Sequence, residues 1–444
     1  MQRLGSVSKV AGTSQESFTF VHAADLHLDT PFHGIGEVAP RVADALREAS
    51  LDAFDDIVAC CIEREAAFLL VAGDIYDGAE RGLRAQLRFR DGLGRLAAAG
   101  ILSFVVHGNH DPIATGWSAI GSSWPKGVTI FGSDEVAVVP VIQGGIQIAT
   151  VQGISYAKVE TTENLALRFH RPEGPGFHIG LLHCNVAGVT SGYANYSPCS
   201  LEDLRKTGLD YLALGHIHQR RVLSGKDGSR EPWIVYPGNS QARSPKPSER
   251  EPKGTFVVHV NDGAVQDLEF VACDRVRYDE VECSIVDLED LGNLEDHLEE
   301  LRVAALERAD GRSLVLRVRL VGRGKLHRDL VRTGVLEELL VRMREHTGSE
   351  PFCWWDEIYD ETAGELDLDA LRKRGDFASD LLGLADALGD DEDARRALAE
   401  ELSARVPRHF ASRLEKLLGD VDQLEAIVSH ATTLALDEIT SDTP

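Results

Sequence analysis

Short apolar runs and amphipathic stretches alternate through the first quarter of the chain. Residues 18–23 read as a β-strand, and Pro40 opens a helix in which Val42, Leu46, Ala49, Ala53, Ile57 and Cys61 recur at helical spacing. Residues 67–72 are apolar without interruption, the pattern of a strand buried on both faces. A second amphipathic helix is predicted over 81–99, stopped by Gly100, and another buried strand over 101–106. This βαβαβ order predicts a right-handed, mostly parallel layer.

Beyond Gly127 the rhythm becomes strand and turn. Strands are predicted over 128–131, 136–142 and 146–154, with Gly144-Gly145 between the last two, and over 177–182 and 211–214. Residues 221–223 face 233–236 across a Lys226-Asp227-Gly228-Ser229 hairpin turn. Strands at 255–260 and 264–272 are expected to close a second sheet. The predicted fold class is α/β: two sheets face to face with helices outside, an αββα sandwich over residues 18–276. A small α/β accessory (capping) domain is expected over 277–362, and acidic helices over 363–444. A chain of 444 residues is too long for one ordinary core, which agrees with this division. Residues 1–17, rich in Ser, Gly and Thr, read as a flexible tail and not as a signal peptide.

Polar residues of one chemical kind recur just past the predicted strands: Asp25 and His27, Asp74, Asn109, His183, then His216 and His218. In an open α/β sheet that edge lines the functional crevice. Carboxylate, imidazole and amide oxygen suit a pair of borderline divalent cations and not a thiolate zinc site. Two such ions about 3.5–4 Å apart form a clamp for phosphate ester hydrolysis. Gly73, Gly108 and Gly215 precede ligands and are expected to let the backbone turn sharply.

On these residues the chain resembles the calcineurin-like metallophosphoesterase family, whose pattern is Asp-x-His, Gly-Asp-x-x-Asp, Gly-Asn-His-Asp/Glu, His and Gly-His-x-His. The resemblance implies Asp25, His27, Asp74 and His218 around one ion, and Asp74, Asn109, His183 and His216 around the other, with Asp74 shared. Manganese is the expected metal, although the same ligands accept iron or zinc. His110 resembles the family's catalytic histidine, which protonates the leaving oxygen. Asp111 is expected to orient that imidazole, and Asp77 to support the ligands from behind. His22-Ala-Ala-Asp-Leu-His-Leu-Asp-Thr-Pro-Phe and Tyr236-Pro-Gly-Asn-Ser-Gln-Ala-Arg are similar to the DNA-repair exonuclease branch, the SbcD- and YhaO-type nuclease subunits. That narrower resemblance implies a DNA exonuclease with endonuclease activity, an SMC-like ATPase partner, and allows a homodimer.

Charge changes this picture in part. The net charge of −26 falls mostly beyond Tyr278, so any DNA contact must be local and on the less acidic part. Arg220, Arg221, Arg230, Arg243, Lys246, Arg250 and Lys253 cluster after the last ligands and could hold a phosphate backbone, with Arg220, Arg221 and Arg243 the substrate-binding candidates. Arg81, Arg84, Arg88 and Arg95 form a helical face that reads equally as solvated. Tyr193, Tyr196 and Tyr236 are better placed to pack than to stack on bases. The acidic balance keeps a small phosphate ester open as the alternative substrate. A non-catalytic scaffold is the other alternative, although folding alone gives no reason for His110.

Two features remain. The seven cysteines match no disulfide framework, and no apolar run approaches a membrane span, so a reducing cytoplasmic location without membrane contact is expected. Phe410, Leu414, Leu417, Val421, Leu424 and Val428 alternate as in a helix-on-helix seam, suited to the chain's own domains or to the partner ATPase.

Overall fold

The computed structural model describes residues 17–30, 40–78, 82–114, 120–121, 123–188, 195–225, 231–345, 347 and 351–391, with isolated positions beyond. The chain separates into two compact units. One comprises Met1–Glu280, Arg302–Arg317 and Arg344–Asp356; the other comprises Val281–Leu301, Val318–Met343 and Glu357–Pro444.

In chain order the first elements are β1 (Phe18–Ala23), α1 (Pro40–Glu63), β2 (Phe68–Ala72), α2 (Leu83–Ala98), β3 (Leu102–Val106) and β4 (Val128–Ile130). Next come β5 (Ala137–Gln143), β6 (Ile146–Ile154), β7 (Phe177–His183), β8 (Asn185–Val186), β9 (Pro198–Cys199) and α3 (Leu201–Lys206). Then follow β10 (Tyr211–Gly215), β11 (Arg221–Ser224), β12 (Trp233–Tyr236), β13 (Gly254–Asn261) and β14 (Ala264–Ala272).

These strands build two six-stranded sheets, ordered β14-β13-β1-β2-β3-β4 and β11-β12-β10-β7-β6-β5. β1 to β4 are parallel to one another, as the βαβαβ pattern predicts. β13 and β14 correct an expectation: they do not close the second sheet but extend the first, β13 pairing antiparallel with β1. Neighbours in sequence usually neighbour in space, yet here the open edge of β1 takes the strand. Thr255 Oγ1 donates to the His22 carbonyl at 2.7 Å beside that pairing.

Alternation along each strand assigns its two faces. In β2, Phe68, Leu70 and Ala72 face the interlayer core, while Leu69 and Val71 face the helices. The interlayer core is aromatic: Phe20 packs edge-on to Tyr211 at 5.2 Å between ring centroids, and Phe18 to Phe177 at 6.1 Å. Both pairs join the two sheets face to face. On the far side of the first sheet, Phe54 and Ile57 of α1 meet Phe89 and Leu93 of α2. The second sheet is covered by α3, capped by Ser200 and Asp203 in a reciprocal box. Full burial of one such ring contributes about 1.5–3 kcal/mol, and Phe68→Ala would cost about 3–5 kcal/mol.

Beyond the sandwich lie β15 (Val276–Ser284), α4 (Leu291–Arg308), β16 (Ser313–Arg323), α5 (His327–Leu330), α6 (Val335–Arg344) and β17 (Cys353–Ala363), with the strands paired in the order β15-β16-β17. The division between the two units runs through all three strands. In the second unit, Asp367 caps α7 (Leu368–Lys373) and Asp376 caps α8 (Phe377–Asp390), and Leu371, Ala378 and Leu382 pack with Leu436. The apolar stripe at 410–424 lies outside the described residues. All seven cysteines are buried free thiols. Among the described residues, no helix is long and apolar enough to cross a membrane.

Candidate metal centre

Register brings the predicted ligands to one edge. β1, β2 and β3 pair in parallel so that Ala23 meets Val71 and Ala72 meets Val106, and their carboxyl ends finish together. In the second sheet, Gly215 of β10 pairs with His183 of β7. Asp25, His27, Asp74 and Asn109 therefore come from one layer, and His183, His216 and His218 from the other.

The loops are tied to one another before any side chain is considered. Asp25 N donates to Gly73 O at 3.0 Å, and His27 N to Asp74 O at 3.0 Å. Asp25 (φ 50°), His27 (φ 42°), Asp74 (φ 49°) and His216 (φ 103°) all sit in the left-handed region, which non-glycine residues seldom adopt. Such strain persists where surrounding structure over-determines it, as at ligand clamps. The glycines serve proximity as much as turning. A Cβ at Gly108 would stand 2.3 Å from Asp74 Oδ1, and one at Gly215 would stand 1.9 Å from Ala72 O. Only Gly73 among the three has a positive φ, of 90°.

Three overlapping groups of side chains converge within 4.8 Å: Asp25, His27 and His218; Asp25, Asp74 and His183; His27, Asp77 and His110. Asn109 Oδ1 lies 3.1 Å from His183 Nε2 and 3.2 Å from His216 Nδ1. All seven predicted ligands are thus gathered, and all but His218 are nearly inaccessible to solvent.

The donor set fits a cation. His183 Nδ1 faces the Ala72 carbonyl at 2.9 Å and must donate to it, so the neutral ring presents the Nε2 lone pair to Asn109 Oδ1 and, at 3.4 Å, to Asp74 Oδ2. His27 Nε2 and His218 Nε2 confront each other at 3.1 Å, and His27 Nδ1 is buried 3.6 Å from Asp77 Oδ1. Lone pairs crowded together in a dry crevice repel unless a positive charge lies among them. Without an ion, protons are drawn into its place among these groups. Burial, against the pull of His183 and His218, raises the Asp25 carboxyl to about 6. Burial would lower His183, but the Asp74 and Asp25 carboxylates outweigh it and raise the imidazole to about 9. Burial, with Arg243 alongside, lowers His27 to about 3.

His110 stands at the rim, its side chain 38% exposed, with its backbone N–H on Asp74 Oδ1 at 2.9 Å. Here the structure corrects one expectation. The carboxylate that orients His110 is Asp77, whose Oδ1 lies 2.9 Å from Nδ1. Asp111 instead holds His107 Nδ1 at 3.0 Å and accepts from the Ile75 and Gly108 amides, bracing the loops after β2 and β3. Burial works against charge on both Asp77 and His110. Even so, their mutual hydrogen bond, with Arg243 beside Asp77, holds Asp77 well below the carboxylate range and keeps His110 raised.

Among the described residues of the basic segment, Arg243 is brought to the cluster, paired with Asp77 and 3.4 Å from His27 Nε2. The Arg220 guanidinium lies over the Phe270 ring at 3.9 Å, and Arg221 bonds Gln219. Arg250 pairs with Glu280, and Lys253 is buried with its ammonium on backbone carbonyls. Arg84, Arg88 and Arg95 of α2 are bound to Glu48, Asp52 and Asp55 of α1, so that face is engaged. Arg81, Tyr193 and Arg230 lie outside the described residues. Tyr236 is fully buried with its hydroxyl on Cys184 O, which excludes base stacking, and Tyr196 packs edge-on against His216. One functional neighbour carried no sequence signal: Glu249, whose Oε1 lies 2.7 Å from His218 Nδ1.

Known proteins share this pattern. Residues 18–220 match the family model of calcineurin-like phosphoesterases, and residues 278–363 match that of the metallophosphoesterase YhaO middle domain. Over 353 residues the chain is 34% identical to YhaO of Bacillus subtilis (strain 168), described as an uncharacterized metallophosphoesterase, covering 79% of this chain and 83% of that one. It is 27% identical over 235 residues to the DNA double-strand break repair protein Mre11 of Thermoplasma acidophilum, covering 51% of this chain and 60% of that one. With Mre11 of Methanosarcina acetivorans the identity is 22% over 241 residues, covering 54% and 36%. Five motifs gathered at one end of the two sheets and a relative matched along most of its length make this chain a member of the calcineurin-like metallophosphoesterase family.

Proposed function

We propose that the chain hydrolyses phosphodiester bonds with two divalent cations, manganese foremost, and that DNA is its substrate. The observation that carries this reading is the convergence of seven oxygen and nitrogen donors beside a rim histidine already braced by a carboxylate. Asp25, His27, Asp74 and His218 would hold one ion, and Asp74, Asn109, His183 and His216 the other. When bound, such a pair neutralises charge on the phosphoryl oxygens and lowers the pKa of water.

The chain's own residues supply the remainder. Asp77 accepts the hydrogen bond from His110 Nδ1–H, which leaves the protonated Nε2 of the imidazolium to deliver its proton to the departing oxygen. Arg243, beside Asp77 and His27, is suited to a non-bridging phosphate oxygen. Support for DNA comes from the relatives described as DNA double-strand break repair proteins. An SMC-like ATPase partner, docked through residues beyond about 390, rests on the family resemblance; truncation there should abolish co-purification and spare hydrolysis of a small substrate.

The net charge of −26 favours a second reading, a small phosphate ester as substrate. The test is purified protein with Mn²⁺, given labelled duplex DNA and a chromogenic phosphodiester, with and without the ATPase. DNA cutting supports the first reading. Hydrolysis of the small ester alone supports the second. Hydrolysis of neither by the metal-loaded protein would overturn both and leave a non-catalytic scaffold.

A further inference from the structure

Glu249 ends a short 3-10 turn at Pro247–Glu249, 31 residues after His218, and is 5% exposed. Both of its oxygens are committed. Oε1 lies 2.7 Å from His218 Nδ1, and Oε2 accepts from Asn239 Nδ2 at 2.8 Å. Lys253, 2% exposed, stands behind them with its ammonium 3.7 Å from Oε2. The same ammonium donates to His218 O at 2.8 Å and Ser248 O at 3.0 Å. Ring and backbone of His218 are therefore held from one side by a single buried network.

A buried ion pair is weak evidence for a stabilising role, because desolvation of both charges offsets their attraction. Geometry gives this pair another task. A carboxylate at Nδ1 fixes the proton there and leaves the Nε2 lone pair facing Asp25 and His27. It also raises the basicity of the ring. His183 Nδ1 donates instead to a neutral carbonyl, Ala72 O.

We propose that Glu249, anchored by Asn239 and Lys253, is a positioning residue that sets cation affinity selectively at the site containing His218. The inference rests on the two-cation reading above. It is tested on the full-length, metal-stripped protein titrated with Mn²⁺, by calorimetry and by electron paramagnetic resonance of the free ion. Wild type is expected to take two ions. Glu249→Gln should weaken one binding step by about 10–100-fold and leave the other unchanged. His218→Ala identifies that step by removing it. Asn239→Ala keeps the carboxylate but frees it, and should weaken the same step by less; it carries the test if Glu249→Gln fails to fold. Two bound ions with unchanged affinities in the folded variants, or equal weakening of both steps, would overturn this inference alone. No Mn²⁺ uptake by wild type would overturn the two-cation reading and this inference with it.

Discussion

Asp77 Oδ1 and His110 Nδ1 lie 2.9 Å apart, and the same carboxylate carries Arg243 on its other oxygen. Removing the imidazole by His110→Ala should lower turnover by about 10²–10⁴-fold while both cations stay bound. Asp77→Asn should lower kcat by less and move the alkaline limb of the pH–rate profile to lower pH, since His110 loses the carboxylate that raises its pKa. Steady-state kinetics with metal analysis of each variant checks both. Wild-type turnover in His110→Ala would remove it from the chemistry.

Chelation should destabilise the protein. Asp25 and Asp74 are buried beside imidazoles in a cluster of donors that the unfolded chain does not assemble, so an ion would bind the folded state and not the unfolded one. Free Mn²⁺ at 100 times its Kd would add about 2.7 kcal/mol per site by mass action. Thermal melts with excess chelator and with Mn²⁺ should separate accordingly. Coincident melts would contradict the donor arrangement.

Gly108 and Gly215 should fail differently on substitution. A methyl at Gly108 meets side chains, Asp74 Oδ1 at 2.3 Å and His183 Nε2 at 2.8 Å, so Gly108→Ala should lose metal binding first. At Gly215 it meets the Ala72 carbonyl at 1.9 Å, so Gly215→Ala should lower stability by about 1–3 kcal/mol. Denaturant titration of the metal-free proteins distinguishes the two.

His22 supplies a pH dependence of its own. It is fully buried, and burial lowers its imidazole from 6.5 to about 3. Between those values the unfolded chain binds the extra proton, so the contribution of His22 to stability is intact above about 6.5 and is lost as pH falls toward about 3. His22→Gln should flatten the fall of Tm across that window in chelator-treated protein. An unchanged slope would show that other groups govern acid unfolding.

The proposed ligands were legible because nearly all of them lie at or just past the end of an apolar strand, and the periodicity that marks the strand also marks its end. Asp25, Asp74, Asn109, His183 and His216 needed no knowledge of distant pairing. What escaped depended on such pairing. β13 joins β1 across more than two hundred residues, and nothing in residues 255–260 distinguishes one sheet edge from the other. Asp77 and Asp111 are both turn acids next to motif residues; which one reaches His110 depends on how two loops cross. Glu249 sits in a segment full of charges, where a carboxylate bound for the interior looks like one bound for water. Lys253, read there as a surface cation, is its buried counterpart.

The ligand set is halved by the midplane of the sandwich, with three of its strands in one sheet and two in the other. Neither layer alone supplies every proposed donor to either ion. Full coordination of either ion by the proposed donors would therefore require the two layers to be packed together. Once captured, the ions rivet the layers at the edge where Phe20 and Tyr211 do not reach, and β2 and β7 should exchange their amide protons more slowly when loaded.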